Sequence, residues 1–398
     1  MSKSRIFQWA GSALSASVVS LLAACGGGSD YGSTPAPPAS SAGTGTLRIA
    51  LTDAPACGFD HVYVTFERVR VHQTSSASDN DAGWSEVVLN PPQRIDLLGL
   101  TNGVLAELGQ TLLVAGQYQQ VRLALSPNGG GTPANSVVPT GGTETPLDTP
   151  SATQNGLKLV HGFTVPPNTL TDLLLDFDAC RSVVRKGNGG FNLKPVIRVI
   201  PRGAAAIVGT VDPALIGVTV SVQKNGAVVR STTPNANGDF VLSGLDPAQS
   251  PFDVVFTATS ATTSVVTATP VTAGASTRIS TTPITLPAAV TGVANGKVLP
   301  IAASASIRAL QAVGSVPKIE VAHDNADATI GNYSFTLPIT ASRLATYSMN
   351  LPLTFSSQAA SAANYTLEAF ATGYVTQSKA VTIGAVPVVN DFTLVAMP

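Results

Sequence analysis

From residue 46 onward, apolar positions recur at every second residue, the period of strands that bury one face. Leu47, Ile49 and Leu51 alternate with Arg48 and Ala50. Val62, Val64 and Phe66 share one parity, whereas Val69 and Val71 take the other. A parity change inside one run predicts a β-bulge, or a strand covered on both faces. Further strands are predicted around residues 117–125, 157–165, 170–177 and 196–200. Residues 95–100 are apolar but broken by Gly99, and they lead into 104–108, which reads as one helical turn.

The pattern continues beyond residue 202. Val218, Val220 and Val222 alternate with Thr219, Ser221 and Gln223, and Asn225-Gly226 follows as a two-residue hairpin turn, where both residues tolerate positive φ. Asn237-Gly238-Asp239 marks a second turn before Phe240 and Leu242. A diverged copy comes next. GKVLPIAASASIRA parallels GTV…GVTVSVQ, GNYSFTLP parallels NGDFVLSGL, and YTLEAFATGY parallels FDVVFTATS. The repeat is roughly 90 to 105 residues long, which fits modules in series rather than a solenoid. Tyr333, Phe335 and Leu337 share a face in this copy, as do Tyr365, Leu367 and Ala369.

Composition agrees with an all-β chain. Hydrophobic residues make up 44%, ample for packed cores, and only 11% are charged, against roughly a quarter in an average protein. Thr and Ser fill exposed strand positions, where a β-branched hydroxyl side chain packs well. The formal net charge is −1. No Lys/Arg run with interleaved aromatics occurs, so a nucleic-acid partner is not expected.

The first 24 residues read as a secretory leader. Lys3 and Arg5 form a basic start, and residues 6–24 are uncharged, diluted by Ser and Gly, and closed by small residues. Leu22-Ala23-Ala24-Cys25 resembles the lipobox of bacterial lipoproteins. That resemblance implies cleavage before Cys25, acylation of its sulfur and tethering to a membrane outside the cytoplasm. Gly26 in place of Asp implies the outer membrane of a Gram-negative cell, facing the periplasm or the cell surface. Residues 25–45 then form a Gly/Ser/Pro-rich tether, which as a random coil spans on the order of 25 Å.

Three folded units follow, at 46–202, 203–290 and 291–398. The opening LRIALTDAPACGFDHVYVTFERVRVH, with its Leu51-Thr52-Asp53 motif, resembles an uncharacterised bacterial family, domain of unknown function 4382. RIDLLGLTNGVLAELGQTLLVAGQYQQVRLAL, LDFDACRSVV and NLKPVIRVIPR continue the likeness to about residue 202, and the family implies no established activity. The second unit resembles the carboxypeptidase regulatory-like, transthyretin-like domains, and the third is its diverged copy. Together these imply a sandwich-like first domain followed by two small prealbumin-like Greek-key sandwiches.

With Cys25 acylated, Cys57 and Cys180 remain, and an oxidising compartment favours a disulfide between them. Closing that loop would contribute at most roughly 4–5 kcal/mol; the alternative is two buried free thiols. No catalytic residue is assigned. There is no G-x-S-x-G elbow, no H-E-x-x-H, and only four histidines, His61, His72, His161 and His323. No cofactor is expected, apart from one calcium-type arrangement. Asp176 and Asp178 stand two apart on a strand, and Asp53 and Asp60 flank Cys57, so the bridge would gather four carboxylates. The alternative is that they cap turns or bond Arg181, Arg185 and backbone amides. Trp84 is the best candidate for stacking on a sugar, ahead of Tyr63, Tyr118, Tyr347 and Tyr374. The favoured reading is a non-enzymatic, lipid-anchored structural or interaction protein that meets a protein or polysaccharide partner. A carbohydrate-binding lipoprotein and a cryptic hydrolase are the alternatives.

Overall fold

The computed structural model describes residues 43–53, 58–129, 131–149, 156–201 and 205–398. The leader, Cys25, the tether up to residue 42 and Cys57 lie outside these residues, Thr44 and Gly45 of the expected tether already belong to the first strand, and Asp53 is described in its backbone alone. Residues Ala42–Pro398 form one compact unit. The fold is all-β, built from three two-sheet sandwiches. Among the described residues no helix is long and apolar enough to cross a membrane.

The first sandwich runs through β1 (Thr44–Asp53), β2 (Phe59–His72), β3 (Ser85–Asp96), β4 (Ala106–Val114), β5 (Gly116–Leu125), β6 (Ser136–Pro139), β7 (Thr145–Asp148), β8 (Leu157–Val165), β9 (Leu170–Phe177), the single turn α1 (Ala179–Ser182), β10 (Val183–Arg185), β11 (Phe191–Leu193) and β12 (Ile197–Pro201). Its smaller sheet has the order β12-β9-β1-β4, and its larger sheet runs β10-β11-β7-β6-β2-β5-β8, with β3 on β2. Leu47, Ile49 and Leu51 of the first meet Val62, Val64, Phe66, Val69 and Val71 of the second in one core. The parity change in β2 is a bulge: register slips between Phe66 and Arg68 against both β3 and β5. The extra residue, Glu67, lets both halves of the apolar run face inward. The helical turn expected at 104–108 falls elsewhere. A 3₁₀ turn occupies Leu97–Leu100, where the Asp96 side chain accepts from the Leu98 amide. Residues from Ala106 instead pair antiparallel with β1, whose edge needs hydrogen-bond partners.

The second sandwich comprises β13 (Ala205–Thr210), β14 (Thr219–Lys224), β15 (Ala227–Thr232), β16 (Asp239–Leu245), β17 (Phe252–Thr257), β18 (Ser264–Thr269) and β19 (Ser276–Arg278). Asn225 (φ 52°) and Gly226 (φ 75°) make the expected turn between β14 and β15. The third comprises β20 (Thr291–Leu299), β21 (Ser306–Gln311), β22 (Ile319–Asn325), β23 (Asn332–Pro338), β24 (Arg343–Thr346), β25 (Ser356–Ser357), β26 (Asn364–Phe370), β27 (Tyr374–Val375), β28 (Gln377–Thr382), β29 (Val388–Val389), β30 (Phe392–Thr393) and β31 (Val395–Ala396). The copies share pairing: β13 with β16 corresponds to β20 with β23, and β14 with β17 corresponds to β21 with β26. Tyr333, Phe335, Leu337, Tyr365, Leu367 and Ala369 are all in the third core.

The modules are interlocked. Between β23 and β26 the third unit carries a segment with no counterpart in the second. Its strand β24 adds in parallel to β18, extending the second unit's sheet to the order β15-β14-β17-β18-β24-β25. Ala345 is buried in the second core, with Tyr347, Leu353 and Phe355 packed against it. A small apolar cluster of Val255, Val265, Val313 and Ile319 closes the space between the second and third units.

Candidate functional site at the junction of three sandwiches

Strand β9 buries both of its faces. Leu173, Leu175 and Phe177 enter the first core, while Leu174 and Asp176 point the other way and are equally hidden. That second face is covered by the neighbouring module. Asp176 is 2.6 Å from the Arg230 guanidinium of β15 and 3.9 Å from Arg198 of β12. Arg198 in turn donates to the carbonyls of Val228 and Val229. A loop residue reinforces the contact: Asn102 donates to the Asp239 carbonyl and accepts from the Val241 amide.

Directly after β9 the chain turns. Asp178 caps α1 by accepting from the Arg181 amide at 3.1 Å, the ordinary role of Asp at a helix start. The turn aims Arg181 outward from the first sandwich and into the third. Its guanidinium pairs with Asp178 at 3.1 Å and with Glu320 of β22. Its carbonyl accepts from the Asn325 side chain at 2.9 Å. Glu320 also lies 3.8 Å from Arg308, which pairs with Glu368 at 2.7 Å. The buried amide of Gln223, from β14, completes the junction. It accepts from the Glu320 amide at 2.8 Å and donates to the Glu320 carbonyl at 2.7 Å. In this way a side chain of the second sandwich satisfies the edge of β22, which would otherwise present unpaired backbone groups.

Burial sets the protonation of these groups. It pushes the Asp178 carboxyl up, against the lowering effect of Arg181, and pushes Glu320 up against Arg181 and Arg308. It holds the His323 imidazole well below its ordinary range, helped by the charges of Arg181 and Lys194. His323 faces a cavity of about 250 Å³ at this junction, and its shielded ring nitrogens make no well-formed hydrogen bond, with the Asn325 side chain the polar group acting on the ring.

This junction grows from LDFDACRSVV, one of the segments singled out in the sequence. Residues 44–195 match the family described as "Domain of unknown function (DUF4382)". The segment that matches this family therefore supplies the turn, Arg181 and Asp178, and the two repeats supply their partners. No curated protein matches the chain. Among solved structures, the major pilin subunit BcpA of Bacillus cereus is 10% identical, covering 89% of this chain and 100% of its own, at a TM-score of 0.18. A streptococcal ancillary pilin is 11% identical over 88% and 99%, at 0.16, and the major pilin SpaA of Corynebacterium diphtheriae 9% identical over 88% and 99%, at 0.18. At such scores the likeness bears on neither fold detail nor function.

The other expected residues are distributed as follows. Asp60 is exposed and accepts from the Gly141 amide at 3.3 Å. Asp176 and Asp178 are each met by arginine. Among the described residues no group of three or more His, Cys, Asp and Glu is placed to hold a metal. The described members of the calcium-type set are thus not assembled into one, because guanidinium groups already compensate the two buried carboxylates. Cys180 lies in α1 and is engaged rather than free; its expected partner Cys57 is outside the described residues. Trp84 in the first sandwich is part of a packed hairpin. Its ring lies under Arg70 at 4.5 Å and Arg122 at 5.0 Å, and its Nε1 donates to the Ser78 carbonyl. Tyr118 is buried, and Tyr63 stacks with Arg94 at 3.8 Å. His61 pairs with Asp96 at 2.6 Å, and His72 contacts the carbonyl of Ala82. Sequence reasoning missed Arg181, Glu320, Gln223 and His323 as one group. A buried-strand pattern interrupted by Glu320 in KIEVAH was the available signal.

Proposed function

We propose that this protein is a lipid-anchored structural or interaction protein of the cell envelope, holding its three sandwiches as one unit before a partner. The observation that carries the reading is the use of its buried charges. Asp176 with Arg230 and Arg181 with Glu320 each join one module to another, while Asp178 holds Arg181 from within its own turn. Acylation of Cys25, placement in the outer membrane and a Cys57–Cys180 bridge belong to the same proposal and rest on the sequence. A tether of about twenty residues would hold the unit clear of lipid headgroups, on the order of 25 Å away.

Metabolic labelling with an alkyne palmitate tests the anchor. Wild type should label and sediment with membranes, and Cys25→Ala should do neither. An unlabelled wild-type protein in the cell interior, with its leader intact, overturns the proposal. Esterase and glycosidase panels on the purified chain test the functional half. Sustained turnover that a single point substitution abolishes would replace the structural reading with an enzymatic one.

A further inference from the structure

The cavity of about 250 Å³ is walled by all three sandwiches. We infer that it is a binding site for a small uncharged hydroxylated molecule, a polyol or monosaccharide. Its wall from the second sandwich carries the hydroxyls of Thr219, Ser231 and Thr257. None of these makes a side-chain hydrogen bond among the described residues. From the third sandwich comes His323, whose shielded ring nitrogens make no well-formed hydrogen bond, the Asn325 side chain being the polar group that acts on the ring. A neutral imidazole offers one donor and one acceptor. Leaving a shielded imidazole nitrogen poorly paired is costly, and the half-exposed hydroxyls beside it are open to a ligand, so the wall suits something that both donates and accepts.

Charge selects the class. Arg181 and Glu320, the ionic part of the wall, are already paired with each other, and Asp178 is paired with Arg181. An anion would meet two carboxylates, and a cation would meet a guanidinium. The absence of any metal-holding group among the described residues points the same way. Alcohol hydroxyls suit the remaining wall, because each donates and accepts in any orientation. Val228, Val321 and Ala322 add an apolar patch for the C–H face of such a molecule. Size is consistent with this. The space corresponds to on the order of eight waters at liquid density, more than the ring nitrogens need, and lies just under the range of drug-sized sites.

Saturation-transfer NMR on the full chain tests this, with D-glucose and glycerol as separate probes. Each is used at about 10 mM, tenfold above a dissociation constant of about 1 mM. Transfer from the protein to at least one probe is expected, undiminished by added salt. His323→Leu and Ser231→Val should each weaken binding by about tenfold, the loss of one or two hydrogen bonds to the bound molecule. Ser231→Val leaves every ion pair in place, so it decides the matter if His323→Leu does not fold. No transfer from either probe overturns the inference, as does equal transfer in wild type and Ser231→Val. Binding abolished by salt would overturn the uncharged class.

Discussion

Arg181 is where contacts between modules converge, since its guanidinium serves Asp178 and Glu320 and its carbonyl serves Asn325. A buried charge is tolerated only with its partner, and removing one member leaves the other exposed to the full desolvation cost. Arg181→Leu should therefore lower stability by about 3–5 kcal/mol in urea unfolding, with part recovered in the Arg181→Leu/Glu320→Leu double variant. The same neighbourhood sets a pH dependence. His323 is depressed by burial, so the stability it contributes is present above about pH 6.5 and is lost as pH falls below that value. Asp178 and Glu320 are raised by burial. Their cost to folding is greatest at neutral pH and is relieved as pH falls through their folded-state range. The two effects oppose each other. His323→Gln removes only the first, so between about pH 7 and 5 its urea midpoint should fall less, or rise more, than that of wild type. Parallel curves for the two proteins would contradict this assignment.

At the scale of elements, the joints are made by strand edges. The edge of β22 is capped by Gln223, and the edge of β18 is extended by β24. Covering an edge in this way removes a site for unwanted pairing. The β14–β15 hairpin shows how tightly the elements approach. A Cβ at Gly226 would come within 2.2 Å of the Lys318 carbonyl oxygen of the third sandwich, and the residue has φ +75°. Gly226→Ala should thus destabilise by about 1–3 kcal/mol through overpacking, beyond the strain of the turn itself. A change in melting temperature no larger than that of Gly217→Ala, where φ is +67° and a Cβ meets nothing within 4 Å, would show that the modules do not touch there.

For the whole molecule, the joints imply cooperativity. Ala42–Pro398 is one compact unit, and its cores share residues across module boundaries: Ala345 from the third unit lies in the second core. Units coupled through buried charge pairs and shared strands should unfold together. Calorimetry on the wild type is expected to show a single transition, and Arg181→Leu should separate it into more than one. Independent transitions in the wild type would mean that the interfaces contribute little.

Much of the architecture is legible along the chain, because a strand with one buried face must alternate and a tight hairpin needs positive φ. Those local rules located β1, β8 and β9, the parity change that the fold resolves as a bulge at Glu67, and the Asn225-Gly226 turn. They also marked the apolar faces of Tyr333–Leu337 and Tyr365–Ala369 and revealed the repeat. They could not show that β24 leaves its own module, since its pairing depends on which open edge lies nearest in space. Nor could they sort Asp176 and Asp178. A carboxylate pair two residues apart reads as a cation site until the surrounding guanidinium groups are known, and these come from residues 181, 198 and 230. Periodicity is a property of neighbours along the backbone and survives without tertiary contacts. Charge compensation and edge capping are settled between distant segments, and only the folded chain brings those together.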